Sequence, residues 1–367
     1  MAVTAVDFQV FKPVDDELMQ SRIRKAKAKL GDRLMILGHH YQREEVIQHA
    51  DCTGDSLKLS RVAAESKADY IVFCGVHFMA EVADILTRPD QVSILPDLAA
   101  GCSMADMANL AKVEKAWREL DQVLGDAEQA ITPMTYINSA ADLKAFCGRH
   151  NGIVCTSTNA RNVVEWGFSQ TEKILFFPDQ HLGRNTAYAM GIPLEEMVVW
   201  DYDLPMGGLT EEAIKKAKMI LWKGFCSVHQ MFKPEDIDSF LQEYPEGKII
   251  SHPESSFEVC EKSDYVGSTE YIIKTIADAE PNTQWLVGTE LNLVNRLAMQ
   301  NKADNKIVKF MSPTISMCST MFRINAEQLA NTLDSLVEGK VVNQITVAED
   351  EAKQALLALE RMFEVSQ

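Results

Sequence analysis

Strand-like runs rich in β-branched and aromatic residues, each closing on turn residues, alternate with helix-like segments along the 367-residue chain. They fall into three sets: residues 33–40, 69–75 and 92–97; residues 134–139, 152–157 and 173–179; and residues 248–254, 264–269 and 284–290. Strand starts in the second set (134, 152, 173) and the third (248, 264, 284) are nearly evenly matched. Alternation of this kind argues for βαβ units and parallel sheets. Three such sets predict an α/β protein of three related domains, a coarse internal repeat. One large doubly wound sheet is the alternative. The expected boundaries are 1–125, 126–230 and 231–325, with a helical tail over 326–367 that packs back on the body. Amphipathic helices are expected at 15–31, 111–125, 209–224 and 348–365. In the third of these, Thr210 caps the start and Gly224 the end, which puts Cys226 just past a helix C-terminus.

The longest apolar runs are strand-sized, well short of the roughly 18 residues that span a bilayer. The first twenty residues lack a basic start followed by an apolar stretch, so no signal peptide is expected and the protein reads as cytoplasmic. A net charge of −17 disfavours a nucleic-acid partner. An anionic ligand would have to be met locally, by helix N-termini and a few placed side chains.

In parallel α/β sheets, ligands bind beyond the carboxyl ends of the strands. Those ends are rich in polar and titratable residues here. His39, His40 and Tyr41 follow the first strand. Tyr136 and Asn138 alternate at another strand end, so their side chains are expected on one side. His252 and Glu254 stand two apart, a pairing able to orient a substrate and move protons. Ser157, and Ser268 with Thr269, open helices, as Ser56 does. Such hydroxyls serve either as caps or as anion ligands.

Of eight cysteines, Cys74 and Cys155 read as buried packing, and Cys52, Cys147 and Cys260 carry no partner signal. Cys102, Cys226 and Cys318 each follow one of the three sets, in loop-like contexts. Three dispersed thiolates suit a 4Fe–4S cluster with one open iron. Zinc with His229 as a fourth ligand, suggested by the Cys226–His229 spacing, is the competitor, and unrelated buried thiols are the plain reading.

The stretches GHHYQ, GDSLKLS, GCSMAD, YINSAADLKA, CTSTNA, GFCSVH, HPE, GST and MCSTM occur in an order that resembles the quinolinate synthase family. The resemblance runs from about residue 30 to residue 365. It implies three αβα domains around a pseudo-threefold axis with the active site at the centre. It also implies condensation of iminoaspartate with dihydroxyacetone phosphate to quinolinate, for NAD biosynthesis, with loss of phosphate and two waters. The implied cofactor is one 4Fe–4S cluster on Cys102, Cys226 and Cys318, with one iron open. Iminoaspartate would come from an aspartate-oxidising enzyme. The implied catalytic residues are Tyr41, Tyr136, His252 and Glu254. Those in contact with substrate are His39, Ser56, Tyr136, Asn138, Ser157, His229, His252, Glu254, Ser268 and Thr269. The family's first motif often reads His-Asn-Tyr, and here His40 stands in place of Asn, so its role is open. A subgroup of the family carries three cysteines near the last site. Here Cys318 is followed by Ser319, Thr320 and Met321, so no disulfide can form within that run. An aconitase-like hydro-lyase and a non-enzymatic iron–sulfur sensor of a small diacid are the rival readings.

Overall fold

A computed structural model describes residues 17–366. Its strands form three sheets. The first holds β1 (Leu34–His39), β2 (Cys52–Gly54), β3 (Tyr70–Cys74) and β4 (Val92–Ile94) in the order β2-β1-β3-β4, all parallel. The second holds β5 (Ile131–Tyr136), β6 (Ile153–Cys155), β7 (Lys173–Phe177), β8 (Met197–Trp200) and β9 (Met219–Trp222), ordered β6-β5-β7-β9-β8. The third holds β10 (Lys248–Ser251), β11 (Tyr265–Val266), β12 (Gln284–Gly288) and β13 (Ile307–Phe310), ordered β11-β10-β12-β13. Each sheet therefore opens with its second, first and third strands side by side. In that winding the chain reverses its direction of travel between the first and third strands. The reversal leaves a crevice at their carboxyl ends.

The repeat is real, but the expected strands were not equivalent. The runs at 33–40, 69–75 and 92–97 are the first, third and fourth strands of their sheet. The second strand, β2, is three residues long and contains Cys52, too short for any periodicity to mark it. The stretch 209–224 is not one helix. Thr210 does cap a helix, its hydroxyl accepting from the Ala213 amide, but the helix covers only Glu211–Lys216. Ala217 turns the backbone to an extended conformation, and Met219–Trp222 is β9, fully buried between β7 and β8. A short apolar run fits helix and strand alike, and the open place in the sheet decides the matter. Cys226 consequently follows a strand end rather than a helix.

One continuous hydrophobic core runs through the first two sheets and takes in both terminal segments. The helix Ala326–Val337 packs on the helix Glu17–Leu30. A last strand, β14 (Gln344–Ile345), adds antiparallel to β4. The helix Glu349–Val365 then crosses to the second sheet and covers β6 and the helix Ala141–Arg149. It buries Ala355, Ala358, Leu359 and Met362, a single stripe at helical spacing. The tail is thus a strap joining two sheets. The third sheet has its own two smaller clusters, around Ile249 and Leu286 on one face and Ile250 and Val287 on the other. Among the described residues no helix is long and apolar enough to cross a membrane. The expected absence of a leader concerns residues 1–16, which lie outside the described residues, as do the first two positions of the helix expected at 15–31.

Candidate active site

The first strands of the three sheets end at His39, at Tyr136 and just before His252. These three residues line one cavity together with Tyr41, Ser56, Asn138, Ser157, Glu254 and Thr269. Cys102, Cys226 and Cys318 line it too. Apolar side chains, among them Val76, Phe78, Met104, Val228 and Met321, fill much of the remaining wall. Asn138 lies in the turn beyond β5 rather than on the strand, yet it faces the same cavity as Tyr136. Its side-chain oxygen is buried without a partner, which suits a polar ligand group.

The helices Ser56–Glu65 and Thr269–Asp278, which follow the second strands of the first and third sheets, start at the cavity; in the second sheet the helix begins only at Ala160, and Thr156 and Ser157, expected to open it, line the cavity from the turn before it. Helix N-termini leave backbone amides free for an anion. The caps differ from expectation. Asp55, not Ser56, caps the first helix, accepting from the Lys58 amide at 2.9 Å, so Ser56 is the first helical residue. Asp55 also accepts a 2.6 Å hydrogen bond from the Thr158 hydroxyl and ties the first helix start to the second. Asn159 turns back onto the Thr156 amide at 2.6 Å, leaving Ser157 free of capping duty. Ser268 does cap the third helix, accepting from Tyr271, and does not line the cavity, whereas Thr269 does.

Glu254 is the electrostatic centre. The Tyr136 hydroxyl donates to its Oε1 at 2.6 Å. His229 Nδ1 approaches Oε2 at 3.0 Å, and His252 Nδ1 lies 3.8 Å from Oε1. The two imidazoles stack with centroids 4.8 Å apart. His229 does not line the cavity; it sits behind Glu254, and neither ring nitrogen makes a well-directed hydrogen bond. Burial would push the Glu254 carboxyl up, but the imidazoles and the tyrosine outweigh it and hold it at about 2. Burial holds His252 down at about 4 and His39 at about 3, so both imidazoles are neutral at physiological pH. Burial, reinforced by Glu254, pushes the Tyr136 and Tyr41 hydroxyls well above the usual phenol range. The site thus pairs a carboxylate with protonated phenols and neutral imidazoles, and the Tyr136–Glu254 hydrogen bond links a proton donor directly to an acceptor.

Tyr41 stands edge-on to His39, ring centroids 4.6 Å apart, and its amide donates to His39 Nδ1 at 3.1 Å. Its hydroxyl lies 2.9 Å from that of Thr289. His40 turns away from the cavity. Its Nε2 meets Glu270 at 2.9 Å, and Lys58 lies 3.6 Å from the same carboxylate oxygen. The residue that departs from the family motif therefore spans the first and third sheets instead of touching the cavity.

All eight cysteines are free thiols. The three that line the cavity are near enough to perturb one another electrostatically. They do not form a single-ion shell. Among the described residues, the set of metal-ligating side chains whose donor atoms all lie within 4.8 Å of one another is Cys226, His229 and Glu254. A tetrahedral zinc with bonds of about 2.3 Å would bring its sulfurs to about 3.8 Å from each other. Cys102 and Cys318 line the same cavity but do not belong to that compact set.

Three doubly wound sheets whose carboxyl ends enclose one buried cavity of acid, phenol, imidazole and thiol groups define a multi-domain α/β enzyme scaffold. The family model described as quinolinate synthetase A protein matches residues 21–364. A quinolinate synthase of Herpetosiphon aurantiacus is 54% identical over 351 residues, covering 95% of this chain and 93% of the relative. That of Rhodopirellula baltica is 54% identical over 367 residues, covering 97% and 93%. That of Streptomyces coelicolor is 53% identical over 353 residues, covering 96% and 89%. The chain belongs to the quinolinate synthetase A family.

Sequence reasoning missed Asp55, Thr158, Thr289 and Glu270 as groups that hold the cavity together. Asp55 and Thr289 sit at strand ends, so their position was a usable signal. The pairing of Asp55 with Thr158, 103 positions apart, had none.

Proposed function

We propose that this protein is a quinolinate synthase that condenses iminoaspartate with dihydroxyacetone phosphate and releases phosphate and two waters. The observation that supports this reading best is the single cavity in which strand ends from all three sheets meet, with Tyr136 and Glu254 in direct contact across two of them. Cys102, Cys226 and Cys318 would hold a 4Fe–4S cluster with one iron free of protein ligands. When bound, that cluster supplies a Lewis acid for loss of hydroxide. The helix starts at Ser56 and Thr269 and the turn at Ser157 bind the carboxylates and the phosphate. Asn138, His39 and His252 orient the diacid. Glu254 and Tyr136 form the proton relay: the carboxylate accepts a proton from carbon or nitrogen, and the phenol returns one to a departing oxygen. Tyr41 covers the opposite side. The apolar wall keeps bulk water from the imine. The imine is two electrons more oxidised than aspartate, so an aspartate-oxidising enzyme is a fitting source. Eight free thiols suit a reducing cytoplasm.

Incubating anaerobically purified protein with both precursors should yield quinolinate, read by its absorbance after chromatography. An iron-replete protein that forms none overturns the reading. The preparation should be brown with about four irons per chain, and Ser at Cys102, Cys226 or Cys318 should abolish both iron retention and turnover, whereas Cys74→Ser should leave both intact. A single zinc on Cys226, His229 and Glu254 is the second reading, favoured by their compact spacing. It leaves Cys102 and Cys318 without a task. A colourless protein with one zinc would establish it.

A further inference from the structure

The turn that carries Tyr41 belongs to the first sheet, but its backbone is held by the third. Three successive carbonyls, those of His40, Tyr41 and Gln42, take part in no sheet. All three accept from one helix, Leu291–Gln300, which follows β12. Arg296 donates to the His40 carbonyl at 3.0 Å and to the Gln42 carbonyl at 2.7 Å. Asn292 donates to the Tyr41 carbonyl between them at 3.2 Å. The two side chains stand four apart, on one face of the helix. Arg296 Nε further donates to Glu44 Oε2 at 3.0 Å. Thr289, just before the helix, meets the Tyr41 hydroxyl itself.

This arrangement exceeds what simple adhesion between two domains requires. A guanidinium presents its donors in a rigid fork, so two carbonyls can occupy it only in one mutual orientation. With the carbonyl between them pinned by Asn292, the path of residues 40–42 is set at three consecutive points. Tyr41 follows that path into the cavity. Asn292 is oriented in turn by Glu290, whose Oε1 accepts from its side-chain amide at 3.0 Å.

We propose that Asn292 and Arg296 are positioning residues that read the backbone of residues 40–42 and thereby present Tyr41 to the reacting diacid. Neither touches the cavity. They act on the chemistry only through Tyr41, and the proposal rests on the reading of Tyr41 as a residue of the active site.

The test uses the iron-loaded full-length protein in four forms: wild type, Arg296→Ala, Tyr41→Phe and the double variant. Arg296→Ala should lower kcat by about 10- to 100-fold, the cost of a misplaced catalytic group, with iron content unchanged. In the Tyr41→Phe background the same change should cost less than about twofold, because interacting sites are not additive. Guanidinium ion added to Arg296→Ala should restore turnover, and should do nothing for the double variant. Arg296→Lys, with one point donor, should not restore it. Equal losses in both backgrounds, or full activity in Arg296→Ala, would overturn the proposal. Amide exchange over residues 40–44 gives a readout independent of turnover. It should quicken in Arg296→Ala, and in Asn292→Ala should the arginine variant fold poorly. Unchanged exchange in a folded variant also overturns the clamp. A wild type that makes no quinolinate while the exchange arm succeeds would instead count against the proposed function.

Discussion

The first two sheets and the third are built alike but joined differently. Between the first and second sheets the hydrophobic core is continuous, and the helix Glu349–Val365 crosses the seam. The third sheet keeps separate clusters, and a set of polar bonds joins it to the other two. His40 meets Glu270, Arg296 grips residues 40–42, Tyr136 donates to Glu254, and Asn185 donates to the Pro253 and Ser255 carbonyls at 2.8 and 2.9 Å. A polar junction exchanges protein hydrogen bonds for water at small net cost, typically about 1 kcal/mol each. An apolar seam cannot open so cheaply. The first two sheets thus share one apolar core, whereas the third is held to them through directional hydrogen bonds. Tyr136 and Glu254 meet across that polar junction, so a well-seated third sheet is a condition of having their contact at all.

The largest expected effect comes from breaking the junction at its centre. Glu254→Gln removes the carboxylate that unites Tyr136, His229 and His252. It should lower turnover by about 10²- to 10⁴-fold, the usual worth of general acid–base catalysis, with iron content retained. Normal turnover would remove Glu254 from the chemistry. Core variants sharpen the contrast next. Leu359→Ala, in the strap, and Ile272→Ala, in the third domain, should each cost about 2–5 kcal/mol. The first should lower protection from amide exchange across both of the first two sheets. The second should loosen residues 248–310 and leave 34–222 protected. Equal loosening everywhere after Ile272→Ala would show that the third domain is not a separate cooperative unit. The smallest effect is a pH dependence of the rim. The hydrogen bond from His40, against the opposing pull of burial and with help from Lys58, holds the Glu270 carboxyl below its ordinary value. A lowered carboxylate stabilises the fold above its unfolded pKa, about 4.3, and that contribution is lost as pH falls through the folded value. Exchange protection at the first–third junction should therefore weaken below about pH 4, and Glu270→Gln should flatten that dependence.

Much of the site could be read without coordinates because parallel sheets put polar residues where strands stop. His39, Tyr136, His252 and Glu254 were found that way. What escaped did so for physical reasons. β2 has three residues and β9 is an apolar run that suits either a helix or a strand, so local pattern does not identify them. Reading β9 as helix puts Cys226 after a helix, whereas it follows a strand. Its grouping with Cys102 and Cys318 depends on the order of the three sets, not on the local element, and all three line the cavity. The spacing of His229 to Cys226 suggested a shared metal site, and the structure adds Glu254, whose carboxylate lies 3.0 Å from His229 Nδ1, to that pair.

The alternation of strands and helices, the threefold recurrence and the chemistry at strand ends were properties of the sequence itself. They follow from side-chain periodicity and from the need of each parallel strand for a crossover. The tertiary structure alone decided which residues meet. Cys102 and Cys318 are 216 positions apart in the chain and line the same cavity. Likewise, the turn bearing Tyr41 is held by a helix about 250 residues further on. Such pairings depend on how three separately formed sheets pack, and no local pattern of residues encodes the angle at which they do.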